Sequence, residues 1–453
     1  MTRMLKFERR RTSRGDSTSG DGSTLPWLDR PLSGLSCTLG WVFSLSVFIV
    51  LTTLFGGPTP LDAILSTYSS WFIAHGNLAC AYPPGSAVGI AVAAPLYTLL
   101  SGGLSVLFRV GHGVAFPTKA ALGSRCLTWL GPIRHWSAHS NALTPTLRFG
   151  YLGWLVLMVG VVAVLRAAHR GRTGWEPLTL LFVACTPPVF MCLQYLFHPQ
   201  DLLSMGLILC GVASVLRERW VLAGVVMGLA FTSQQFAVLV LIALLVLAPN
   251  VGRFKLAAAA VVTWALISLP LVLATSGRAL RVALVGSGLG GSEFNSITWQ
   301  LHITGSAAVD LWRVMPVLVS ALLAYWTTRR LGHAALDPVP LMAVVATSLS
   351  MRLVFDEGLY GYYFMAVAVA LIVLDVLRRR FRIVLIGWFA LIVLVFDPLP
   401  WGYDPLVHSV QVWIWQLLLV PPAVWLSLSP LLEAIRDSKV TPIDAWSAAG
   451  TQR

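Results

Sequence analysis

"GLSCTLGWVFSLSVFIVLTTLF", residues 34–55, carries no charged side chain. A transmembrane α-helix needs about 20 consecutive apolar residues, so this stretch is long enough to cross a bilayer. Similar runs recur along the rest of the chain. Of the 453 residues, 57% are apolar and only 11% are charged, and the mean hydropathy is +0.76. A soluble domain carries about 25% charged residues, so this chain lacks the polar surface to face water all round. Inside lipid, each backbone amide must be satisfied within its own segment. The fold class that follows is all-α: a polytopic transmembrane helical bundle.

The formal charge of +13 is distributed in short clusters between the apolar runs. They are "RRRTSR" near the start, "RAAHRGR" at 166–172, "RERW" at 217–220, "GRFK" at 252–255, "TTRR" at 327–330 and "RRRFR" at 378–382. Such spacing orients membrane helices, because basic loops stay on the cytoplasmic side. A nucleic-acid face would instead concentrate the charge on one surface, with aromatics interleaved. No nucleic-acid partner is expected; membrane lipids are.

The clusters predict a topology. Residues 1–31 read as a disordered basic cytoplasmic tail, 32–432 as the transmembrane domain and 433–453 as a cytoplasmic C-terminal tail. Spans are expected near 34–55, 150–165, 178–196, 202–215, 221–232, 236–247, 256–274, 306–326, 339–355, 362–377, 383–395 and 407–428, about twelve in all. An even number returns both termini to the cytoplasm of a plasma-membrane protein. Residues 57–148 form a long extracytoplasmic or interfacial loop, whose apolar part at 85–109 dips into the membrane. The pair around "FTSQQF" is short for full crossings and reads as two half-length helices meeting at 233–235.

The unusual polar residues collect on the side opposite the basic clusters. They include Asp62, Tyr68, His75 and Tyr82, then "FHPQD" at 197–201, "RLVFDEGLYGYY" at 352–363 and "FDPLPWGYDP" at 396–405. A transporter places its polar groups near the midplane, often at matched broken helices. Collection on one face favours an outer-surface enzyme site.

These segments resemble the C-type (GT-C) integral membrane glycosyltransferases, and most closely the polyprenyl-phosphate-mannose-dependent glycosyltransferase family 87. The resemblance rests on four features. The first is Asp62, Tyr68 and Gly76, followed by "YPP" at 82–84 and "AAPLY" at 93–97. The second is "HPQD" at a span start, the third "AGVVMGLAFTSQQFAVLVL", and the fourth "FDEGLYGYY" before a helix ending in "DVLRRR". Gln234 stands where the family often has a Lys. The resemblance implies a GT-C-like fold and transfer of a mannose-like sugar. The donor would be a polyprenyl-phosphate sugar, the acceptor an envelope lipid or glycan, and the site the outer membrane face. It implies no cofactor, and a divalent metal is not indicated.

Such a transfer needs a carboxylate within about 3 Å of the acceptor hydroxyl to take its proton. Asp62 sits where the family's catalytic acid is expected; it also suits the cap of a helix beginning "DAILSTY". The leaving phosphate needs a cation or hydrogen-bond donors. Arg352 near its span end is a candidate, and pairing with Asp356 four residues on is the alternative. His198 and Asp201 either bind acceptor or form an ordinary helix start with Pro at its first position. Gln234, Gln235, Tyr362 and Tyr82 complete the substrate-binding candidates. Cys80 and Cys126 share the expected outer loop and form a disulfide candidate. Cys37, Cys185, Cys192 and Cys210 read as packing residues of the spans. Two other function classes stay open: a transporter or flippase of a lipid-linked intermediate, and an inactive GT-C-like scaffold in envelope assembly.

Overall fold

The computed structural model describes residues 27–54, 96, 99–100, 143–169, 171–194, 198–274, 306–355, 361–380, 383–395, 410 and 413–440. Within them the chain is helical. The helices are α1 (Gly34–Leu54), α2 (Leu143–Ala167), α3 (Trp175–Cys185), α4 (Pro187–Gln194), α5 (Pro199–Leu216), α6 (Trp220–Ser233) and α7 (Ala237–Leu247). There follow α8 (Asn250–Ala274), α9 (Ser306–Leu331), α10 (Pro338–Phe355), α11 (Phe364–Leu377), α12 (Ile383–Val395) and α13 (Val420–Val440). A π-helical turn, Trp415–Leu419, leads into α13.

Six described helices are long and apolar enough to cross a membrane, or seven if the bent pair α3–α4 is one span. That bend of 60° has a local cause in "CTPPV". A residue preceding proline is pushed out of the helical region, and Thr186 is extended at ψ 116. Pro187 then starts the next helix, where its missing N–H costs nothing.

Glycine contacts set the direction of several helices. Trp220 packs on Gly252, Gly224 on Leu256 and Gly228 on Ala260, so α6 and α8 run parallel in one register. The intervening α7 must therefore return the chain. Arg253, in the first turn of α8, confirms this by donating to the Leu245, Val246 and Ala248 carbonyls at the end of α7. The two short helices form a hairpin, as expected, with its apex at Gln234–Phe236. A second parallel pair is α2 with α5, where Gly153 meets Pro199 and Gly160 meets Gly206. Small residues let backbones approach in this way, and close packing replaces the hydrophobic drive that lipid removes.

The ends of the bundle differ in chemistry. At one end, Arg166 pairs with Glu176 at 2.8 Å, Arg217 reaches the Ala163 carbonyl, and Arg378 and Arg380 both pair with Glu433. Asp29 accepts from the Trp175 indole at 3.2 Å and lies 3.7 Å from Arg379. Residues 27–31, expected in the disordered tail, thus belong to the folded body. Leu28 is only 1% exposed and Pro31 bridges to Thr173. At the other terminus α13 continues past 432 to Val440, with Leu431 and Ile435 buried. Residues 27–31 and 433–440 are thus folded parts of this end, tied in by ion pairs that periodicity does not reveal.

Burial separates the helices. Every residue of α11 from Phe364 to Leu377 is buried, and α5 and α10 are nearly so. Large apolar side chains of α1 and α8, among them Leu35, Phe43, Phe254 and Leu266, remain exposed and provide the face suited to lipid. Cys37 and Cys192 are buried, Cys210 is partly covered and Cys185 is exposed.

Candidate functional site

At the end opposite the ion pairs, four elements converge: the start of α5, the α6–α7 apex, the end of α10 and the start of α11. "FHPQD" makes the first of these. Pro199 opens α5 and places Asp201 in its first turn, where a carboxylate is favoured by the helix dipole. Asp201 is fully buried.

The apex follows from "FTSQQF". The Thr232 and Ser233 hydroxyls both donate back to the Leu229 carbonyl at 2.9 Å, a side-chain competition that weakens helix continuation. Gln234 then turns extended, φ −160 and ψ 140. Its amide closes the break in two directions. Nε2 donates to Asp201 Oδ1 at 2.5 Å, and Oε1 accepts from the Gln235 backbone N–H at 3.0 Å. Ser204, one turn below Asp201, donates to the Ala230 carbonyl at 3.1 Å and ties α5 to α6.

Arg352 arrives from α10. Its Nη1 lies 3.8 Å from Asp201 Oδ2, and its guanidinium sits 3.9 Å from the Tyr363 ring centroid and 4.8 Å from that of Phe236. Aromatic faces stabilise a weakly hydrated guanidinium away from water. The Tyr362 ring stacks on His198 with centroids 4.1 Å apart and meets Tyr363 edge-on. His198 lies just before α5. Burial, followed by the field of Arg352, lowers its pKa to about 3, so the imidazole is neutral. Gln200 Nε2 lies 2.9 Å from His198 Nδ1; with the amide donating, the ring proton resides on Nε2.

Six of the residues named from sequence, His198, Asp201, Gln234, Gln235, Arg352 and Tyr362, therefore belong to one neighbourhood. Asp62, Tyr82, Asp356, Cys80 and Cys126 lie outside the described residues. The cluster also contains groups not singled out from sequence: Gln200, Tyr363 and Phe236. Gln200 is 1% exposed and its Oε1 has no hydrogen-bond partner among the described residues. Its signal was present in "HPQD", since a Gln between a helix-opening Pro and a buried Asp shares their end of the bundle.

Chemically, the described residues of the site offer a cation held by a carboxylate and aromatic faces, a neutral imidazole, and an amide oxygen with no partner among them. Such a set can bind a polar, anionic headgroup beside apolar helices. Comparison with known protein families, curated proteins and solved structures finds no match.

Proposed function

We propose that this chain is a membrane glycosyltransferase of GT-C type with about twelve spans. It transfers a mannose-like sugar from a polyprenyl-phosphate donor to an envelope lipid or glycan at the outer face of the cell membrane. The observation that carries this reading is the convergence of His198, Asp201, Gln234, Arg352 and Tyr362 at the end of the bundle away from the Arg–Glu pairs. Both termini lie with the basic clusters on the cytoplasmic side.

In this reaction the acceptor hydroxyl oxygen attacks the anomeric carbon and its proton passes to Asp62. The bond from that carbon to the phosphate oxygen breaks with its electron pair, leaving a polyprenyl phosphate and an inverted sugar linkage. Arg352 offsets the charge that develops on the leaving phosphate, a role whose removal costs about 10²-fold or more in comparable sites. Asp201 and Gln234 hold Arg352 and the α6–α7 apex in place. His198 and Gln200 contact hydroxyls of the sugar or the acceptor.

The test is a deletion strain complemented with wild type, Asp62→Ala or Arg352→Gln, with envelope lipids and glycans resolved by mass spectrometry. Wild type restores a product that neither variant makes at equal membrane abundance. Unchanged product with Asp62→Ala overturns the enzyme reading and leaves a scaffold or carrier.

A further inference from the structure

At the opposite end of the bundle, a groove of about 400 Å³ is lined by Leu32, Gly34, Cys37, Trp41, Arg166 and Arg172, among others. We propose that this groove binds the headgroup of an anionic phospholipid, with Arg172 as its cation. Three observations combine.

The first is charge accounting. Glu176, at the back of this region, is fully buried and its carboxylate is already committed. It accepts from Arg166 Nε at 3.1 Å and Nη2 at 2.8 Å, from the Trp41 indole at 3.2 Å and from the Arg172 backbone N–H at 2.8 Å. Arg166 is neutralised by that pair. The Arg172 guanidinium makes no hydrogen bond or ion pair among the described residues. Among the described residues, the lining of the groove therefore carries a positive charge with no carboxylate paired to it.

The second is conformational. Arg172 has φ +59, a left-handed conformation costing an L side chain roughly 1–2 kcal/mol. The backbone is fixed there because its N–H is held by Glu176 and its carbonyl accepts from Leu32 N–H at 2.7 Å. Glycine would satisfy both bonds without strain. Arg172 thus holds its guanidinium at a position that glycine would occupy without strain.

The third is location. Along α1 the groove opens beside Val42, 55% exposed, and near Leu39, 59% exposed. A headgroup at Arg172 thus leaves its acyl chains against the apolar face of α1. The groove volume suits a headgroup rather than a whole lipid.

The experiment uses full-length protein in nanodiscs. Native mass spectrometry and thermal unfolding compare phosphatidylglycerol with phosphatidylcholine for wild type, Arg172→Gly and Arg330→Gln. One cation near an anionic headgroup is worth about fivefold in affinity. Arg172→Gly, which relieves strain, is expected to unfold no earlier than wild type in phosphatidylcholine. It should bind phosphatidylglycerol roughly fivefold more weakly and lose the lipid-induced rise in melting temperature. Arg330→Gln, at the same end but outside the groove, should behave as wild type. Equal weakening by both variants would show general face charge and overturn the site. So would equal binding of wild type and Arg172→Gly, or the same stabilisation by inorganic phosphate alone.

Discussion

Arg352 and Asp201 are 151 residues apart in sequence, yet each is the other's counter-charge at 3.8 Å. Removing one partner of a buried pair leaves the other charge less compensated than before, whereas removing both takes that cost away. Arg352→Leu and Asp201→Leu should each destabilise the protein by about 2 kcal/mol or more, and the double variant should lose less than their sum. Thermal unfolding in one detergent checks this, and strict additivity would dissolve the pair. Gln234→Leu removes the donor to Asp201 Oδ1 and should cost about 1–3 kcal/mol. His198 adds a pH dependence with a definite sign. Its folded pKa is depressed to about 3 from an ordinary 6.5 or so. Between those values the unfolded state binds the extra proton, so stability is full above about pH 6.5 and falls on acidification. His198→Phe keeps the ring stack on Tyr362 and should flatten the fall between about pH 6.5 and 5. Identical pH profiles for the two proteins would contradict the buried, neutral imidazole.

The helical elements were largely legible in the sequence, because apolar run length and basic punctuation are local signals. The half-length hairpin at "FTSQQF" was legible too, since two such short runs cannot each span a bilayer. What the sequence left open was how α6 lies against α8. The spacing Gly224–Gly228 is a close-packing signal, but its partner is defined only by the register with Leu256 and Ala260. A Cβ at Gly228 would stand 2.7 Å from the Ala260 carbonyl oxygen, too close for any side chain. Gly228→Val should therefore separate the helices at a cost of about 1–3 kcal/mol. Thermal unfolding of the variant beside wild type in one detergent would report the change. An unaltered melting temperature would show that α6 and α8 do not need this contact.

Across the whole molecule, the structure has a basic, ion-paired end and an end carrying His198, Asp201, Gln234 and Arg352. Cysteines placed at Glu218, in the α5–α6 turn, and at Gln235, at the hairpin apex, should react with an impermeant maleimide from opposite sides of a sealed membrane. Labelling of both from one side would remove the two-faced arrangement on which the proposed function depends. Composition by itself determined that the chain is a membrane-embedded helical bundle, because hydropathy and charge clustering act through each segment's own transfer energy. Which polar residues meet was decided only by the tertiary structure. The contacts joining Asp201 to Gln234 and Arg352, and Glu176 to Trp41, depend on the order in which helices pack. That order follows from small-residue contacts between segments far apart in the chain, and no local pattern encodes the partner of such a contact.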